Sequence, residues 1–190
     1  TFDPIFWALD LGHPTTIEGN ATDLNPETHA IACLVRYEFP ARGEMPPVTL
    51  TWYDGLRPPR PRELGQEDAL GNTEGGTLFK GSEGMLTCGV YGEDPRLLPA
   101  SRMKSFTPPA PSIPRVNGSH EDDWVQAIKN GGKAGADFSY SGPLTEVCQL
   151  GNIAKRMNAK LEWNPDKLEF PNMPEANQYV KRAYRDGWTL

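Results

Sequence analysis

The stretch HAIACLVRYEFP, residues 29–40, decides the fold class. Ile31, Cys33, Val35, Tyr37 and Phe39 recur at every second position, with Ala32, Leu34, Arg36 and Glu38 between them. A period of two is that of a strand, whose successive side chains leave opposite faces. PVTLTWYDG, residues 47–55, repeats the pattern, with Val48, Leu50 and Trp52 opposed to Thr49, Thr51 and Tyr53. The Pro/Gly-rich link ARGEMPP between the two runs predicts a β-hairpin.

Working outward, PTTIEGN upstream reads as a shorter strand, and GTLFKGSEGMLTCGVYG downstream supplies further short strands divided by Gly81 to Gly84. The sheet is therefore expected to be antiparallel and roughly four to six strands wide. LRPPRPRELG and the segment from Pro95 to Pro114 are too rich in proline for a helix or a central strand, so they should run extended over the surface. From Ser119 the periodicity changes. SHEDDWVQAIKNGG places Ser119 as N-cap, acids in the first turn, Trp124, Val125 and Ile128 along one stripe, and Gly131 as the stop.

SGPLTEVCQLGNIAKRMN follows as the longest helix, with Leu144, Val147, Cys148, Gly151 and Ala154 on its buried side. A mid-helix glycine costs about 1 kcal/mol against alanine, so Gly151 predicts close packing on a neighbour. KLEWNPDKLEF reads as an edge strand and turn, and PEANQYVKRAYRDG as a last helix with Ala176, Tyr179, Val180 and Ala183 inward. At the other end Asp3 and Pro4 look like the N-cap and first position of a short helix that stops at Gly12. Strands first and helices later give an α+β fold. The expectation is an open, mainly antiparallel sheet with helices starting near Ser119, Gly142 and Pro174 on one face, and the other face left for a partner subunit.

The 190 residues, 37% of them hydrophobic, suffice for a buried core, and no apolar run approaches the ~20 residues of a membrane helix. A net charge of −6 argues against nucleic acid or an anionic membrane as partner, because both are bound through excess Lys and Arg. Cys33, Cys88 and Cys148 lack the close pairing of zinc or redox motifs and read as reduced core residues. GNTEGGTLFKGSEG matches neither dinucleotide nor P-loop spacing, so hairpin turns explain its glycines. In HEDD, His120 and Asp123 share a helix face, but acids after a serine cap are what a helix N-terminus favours, and no metal ligand set converges. Trp52, Tyr53 and Asp54 at a strand end suit either sugar stacking or core packing.

Taken in order, TFDPIFWALDLGHPT, YEFPARGEMPPVTLTWYDG, GSEGML, WVQAIKNGG, SGPLTEVCQLGNIAKR, LEWNPD and EANQYVKRAYRDGW resemble the C-terminal domain of the bacterial-type Gfo/Idh/MocA oxidoreductases. The resemblance covers residues 1–190 and implies a substrate-binding and oligomerisation domain that follows a Rossmann domain outside this chain. It implies NAD or NADP in the full-length protein and none bound by these residues. The implied reaction is hydride transfer between nicotinamide and a hydroxyl-bearing carbon of a sugar or polyol, with a homo-oligomer as the working form.

The family's Asp-x-x-x-His-x-x-Asp stretch would end at Asp3, with its histidine immediately before Thr1 and its first aspartate four residues earlier, so no catalytic residue falls within this chain. The substrate-binding candidates are Asp3 and, in GADFSYSGP before the long helix, Asp137 and Tyr140. His13 is expected to hold the helix-to-strand turn. Two other readings stay open: an NAD-dependent glycoside hydrolase on the same two-domain plan, and a carbohydrate-binding module.

Overall fold

The computed structural model describes residues 2–188. The order of elements is α1 (Asp3–Ala8), β1 (Thr16–Ala21), β2 (Cys33–Phe39), β3 (Val48–Asp54), β4 (Thr77–Gly81), β5 (Gly84–Cys88), β6 (Arg96–Leu98), α2 (His120–Asn130), α3 (Phe138–Met157) and β7 (Lys160–Glu162). Short 3₁₀ helices span Ala100–Lys104 and Pro174–Tyr179. The chain forms two compact units, one from residues 2–9 and 59–144, the other from 10–58 and 145–188. The fold is α+β with open antiparallel sheets.

The second unit holds a four-stranded sheet in the order β3-β2-β1-β7. The expected hairpin is its centre, with Val35 opposite Trp52 and Tyr37 opposite Leu50. Along β2, Cys33, Val35, Tyr37 and Phe39 are buried, as their alternation requires. Ile31 lies before the strand starts and is 77% exposed, so the inward set begins at Cys33. The opposite face is more polar than the alternation alone suggests. Arg36 pairs with Glu38 at 2.7 Å, the Thr49 hydroxyl donates to the other Glu38 oxygen, and Thr16, Glu18 and Lys160 complete a hollow of about 130 Å³.

Helix α3 covers the buried face through Val147, Leu150, Gly151, Ile153 and Ala154. Two glycines set its distance from the sheet. A Cβ on Gly151 would strike the Tyr37 ring and hydroxyl, and a Cβ on Gly19 of β1 would strike the Ala154–Lys155 backbone. The close approach expected of Gly151 is therefore real. The helix starts at Phe138, ahead of Gly142, and carries Pro143 in its first turns, where few intrahelical N–H bonds are lost. Strand β7 is an edge strand, paired only with β1.

In the first unit β4, β5 and β6 form a separate three-stranded sheet rather than extending the other one. Leu64, Met85 and Leu98 are its buried core, with Leu70 and Leu78 packed against them. The proline-rich connections are pinned by two buried polar side chains. Asp68, 2% exposed, accepts the N–H groups of Gly65 at 3.0 Å and Ala100 at 2.7 Å. Thr87 accepts from the Gly71 N–H and donates to the Thr77 carbonyl. Arg60 of the RPPRPR stretch donates to the carbonyls of Gly65 and Asp68. The segment from Pro95 to Pro114 contains a short edge strand and a 3₁₀ turn, which the extended reading did not include, because proline is tolerated beside an edge.

Three further expectations are corrected. Asp3 is the first residue of α1 rather than its cap; the cap position is Phe2, which makes no side-chain bond there. The left-handed residue after α1 is Asp10, φ 46°, not Gly12. The final helix shrinks to the 3₁₀ turn at Pro174–Tyr179: Ala176 is buried, but Ala183 is exposed and outside any helix. Helix α2 keeps its expected ends, a capping box of Ser119 with Asp122 and a left-handed Gly131, yet none of its residues is buried, so it covers no sheet face.

Gly19→Ala is expected to destabilise the protein by about 1–3 kcal/mol, because the obstacle is backbone and cannot rotate away; urea unfolding midpoints check it. Asp68→Ala leaves two partly buried N–H groups without their acceptor and should cost about 1–3 kcal/mol by the same measurement.

Candidate functional site

Tyr140 and Asp3, 137 residues apart, meet in the first unit. The Tyr140 hydroxyl donates to Asp3 Oδ1 at 2.5 Å. Pro4 in the first turn and Asp3 itself favour the start of α1, which then presents Phe6 one turn on. Phe6 is buried and meets the Tyr140 ring edge-to-face, centroids 5.8 Å apart at 68°. Tyr140 lies in the first turn of α3, so two helix starts converge on one carboxylate–phenol pair with an aromatic wall. Burial, then the bond to Asp3 and its negative charge, push the Tyr140 phenol well above the usual range. It stays protonated at neutral pH and donates rather than accepts its proton bond to Asp3.

Asp137 does not join the pair. It precedes α3 and serves as its cap, its Oδ1 accepting the Ser139 N–H at 2.9 Å and the Ser139 hydroxyl at 2.6 Å. Lys133 Nζ lies 3.8 Å away. The Ser139 hydroxyl and then the Ser139 N–H hold the Asp137 carboxyl below its ordinary value. The geometry therefore brings together two of the three sequence candidates and places the third on the helix start beside them.

In the second unit His13 does hold a turn, through a partner that sequence reasoning missed. Its Nδ1 lies 2.8 Å from Glu146 Oε1, and the indole N–H of buried Trp163 donates to the same oxygen at 2.9 Å. No short-range pattern announces this cluster, since 133 residues separate His13 from Glu146. An open groove of about 310 Å³ lies elsewhere in the same unit, walled by the loop around Pro26 and by Lys155, Arg156 and Tyr179. There the Arg156 guanidinium stacks on the Tyr179 ring at 4.8 Å.

Among the described residues no group of three His, Cys, Asp or Glu side chains is placed to hold a metal ion, and no helix is long and apolar enough to cross a membrane. The three cysteines are free thiols, Cys33 and Cys88 buried and Cys148 half-buried. Set beside known proteins, no family model matches the chain and no curated protein matches it.

The raised Tyr140 phenol makes a pH prediction. The folded state keeps a proton that the unfolded chain releases near pH ~10, so this contribution is complete below that pH and is lost as pH rises above it. Melting temperatures between about pH 8 and pH 11 should fall on the alkaline side, and Tyr140→Phe should make that fall shallower.

Proposed function

We propose that this chain forms the substrate-shaping part of a nicotinamide-dependent oxidoreductase acting on a hydroxyl-bearing carbon of a sugar or polyol. The observation that carries the reading is the Asp3–Tyr140 pair against the Phe6 wall. A carboxylate with an oxygen to spare beside a phenol supplies what a polyhydroxylated ring or chain requires, acceptors for its hydroxyls, and buried Phe6 packs behind the Tyr140 ring and holds it in place. The order of motifs in the sequence supports the same reading.

The described residues do not fit a dinucleotide. Both sheets are antiparallel, and no strand runs through a glycine-rich turn into a helix start where N–H groups would cradle a diphosphate. NAD or NADP, which supplies the hydride chemistry, belongs in this proposal to residues outside 2–188. These residues contribute binding and orientation: Asp3 accepts a substrate hydroxyl, Tyr140 fixes the carboxylate, and Phe6 backs the Tyr140 ring.

The test uses the intact enzyme with a panel of sugars and polyols, following nicotinamide reduction. Asp3→Asn and Tyr140→Phe should each raise KM or lower kcat about tenfold, the value of one hydrogen bond near 1.4 kcal/mol, while the protein stays folded at the assay temperature and melts somewhat earlier because the Asp3–Tyr140 bond is lost. Asp137→Ala should act through α3, lowering the melting temperature by removing the helix cap while leaving KM and kcat unchanged. Wild-type kinetics in both pair variants would sink the reading. Release of sugar from a glycoside without net nicotinamide reduction would move it to the glycoside hydrolase.

A further inference from the structure

The groove of about 310 Å³ in the second unit takes no part in the proposed function, and its two walls differ in kind. One is the C-terminal part of α3, with Lys155 and Arg156, joined by Tyr179. The other is the loop before β2, which brings Leu24 and Pro26 together with Glu27. Buried Ile153 adds apolar surface. The loop holds its shape through one side chain. Asn25 accepts the N–H groups of Glu27 at 3.0 Å and Thr28 at 2.8 Å, and its amide donates to the Thr28 hydroxyl at 2.6 Å. A wall formed in advance avoids the ordering cost that a loose loop would impose on binding.

Cations in the last turn of a helix are what its dipole favours, so position alone says nothing about Lys155 and Arg156. Arg156 goes further than position. Its guanidinium lies 4.8 Å over the Tyr179 ring, which fixes the plane of the fork, and its N–H groups donate to no protein acceptor among the described residues. Neither Arg156 nor Lys155 enters an ion pair there, although the chain as a whole carries a net charge of −6. A stacked fork with unused donors is the shape that receives a carboxylate or phosphate in two parallel bonds, and Lys155 adds a point charge to the same wall.

We propose that this groove binds a small organic anion, its carboxylate or phosphate group on Arg156 and Lys155 and its apolar body along Leu24, Pro26 and Ile153. A volume of this size is that of a small-molecule site, and its lining has the usual make-up of one, apolar surface with a few placed polar groups. Glu27 narrows the class. A carboxylate in the loop wall repels a second negative group on the ligand, so the ligand is one with a single anionic group on an uncharged body.

This site lies within the second unit and does not rest on the oxidoreductase reading. Calorimetric titration of the full-length protein with phenyl phosphate, benzoate and benzyl alcohol tests it, the first two separating phosphate from carboxylate as the anionic group. The better of the two anions should bind about tenfold more tightly than benzyl alcohol, which lacks the charge, and than inorganic phosphate or acetate, which lack the body. Arg156→Gln should weaken that binding about tenfold, the scale of a charge-assisted hydrogen bond, and Tyr179→Leu about threefold, because the guanidinium loses its support. Glu27→Gln should tighten it about twofold to threefold, a gain that loss of structure does not produce. Binding of neither aromatic anion, an anion held no more tightly than benzyl alcohol, or an affinity unchanged in Arg156→Gln would each overturn the proposal. An anion held at a nicotinamide site elsewhere in the full-length protein would keep its affinity in Arg156→Gln, so the result is read separately from the proposed function.

Discussion

The second unit depends on an approach of helix to sheet that only glycine allows. At Gly19 the backbone of β1 lies so close to the backbone of α3 at Ala154 and Lys155 that no side-chain carbon fits between them, and at Gly151 the helix backbone lies on the Tyr37 ring. Each glycine weakens its own element by about 1 kcal/mol. Burial of Ile17, Val35, Phe39, Val147, Leu150 and Leu161 more than offsets this, since each large apolar side chain removed from water contributes about 1.5–3 kcal/mol. The contact also explains the Tyr37 phenol. Held under the helix, it is pushed far above its ordinary range by burial first and by the neighbouring Cys148 and Cys33 second.

The first unit solves a different problem, that of ordering proline-rich chain around a three-stranded sheet with few buried apolar residues. It does so with polar pins. Asp68 and Thr87 each satisfy backbone groups from two segments, and Arg96 donates to the carbonyls of Gly71 and Ala69. Buried polar groups of this kind stabilise only when all partners are present, so the loops are specified by individual side chains more than by bulk hydrophobicity.

This contrast accounts for what the sequence disclosed. Where burial follows a period, at β2 and the C-terminal half of α3, the pattern was sufficient to place the hairpin and part of the inward face, Val147, Gly151 and Ala154 of α3, but not Leu150 or Ile153. The capping box of α2 was legible for the same reason, being local. What escaped depended on distant partners. Asp3 looks like a cap until Tyr140 arrives to claim its carboxylate, and Glu146 has no pattern at all until His13 and Trp163 meet on one oxygen. The division into two sheets was also hidden, because the period that identifies a strand does not say which strand it pairs with. The final helix failed for a converse reason: the apolar spacing of Ala176 to Ala183 was present, but every residue from 181 to 188 is exposed. Of the three candidates named from the sequence, Asp3 and Tyr140 are joined by a bond that no local pattern announces, and Asp137 caps α3.

The bond between Asp3 and Tyr140 also limits what this pair can do to a bound hydroxyl. A carboxylate offers about four lone-pair directions and the phenol takes one, so Asp3 keeps acceptor capacity for a substrate O–H. The phenol proton is already given to Asp3, and the pushed-up Tyr140 does not ionise near neutrality, so the phenol offers a ligand its oxygen as an acceptor and does not remove a proton. Two acceptors held together by one short bond can orient an alcohol by receiving its O–H, and the phenol itself takes no proton from it. The pair is thus chemically suited to selection and alignment of hydroxyls. An oxidoreductase using it would draw its acid/base group from elsewhere, which is the division of labour that the proposed function assigns to these residues.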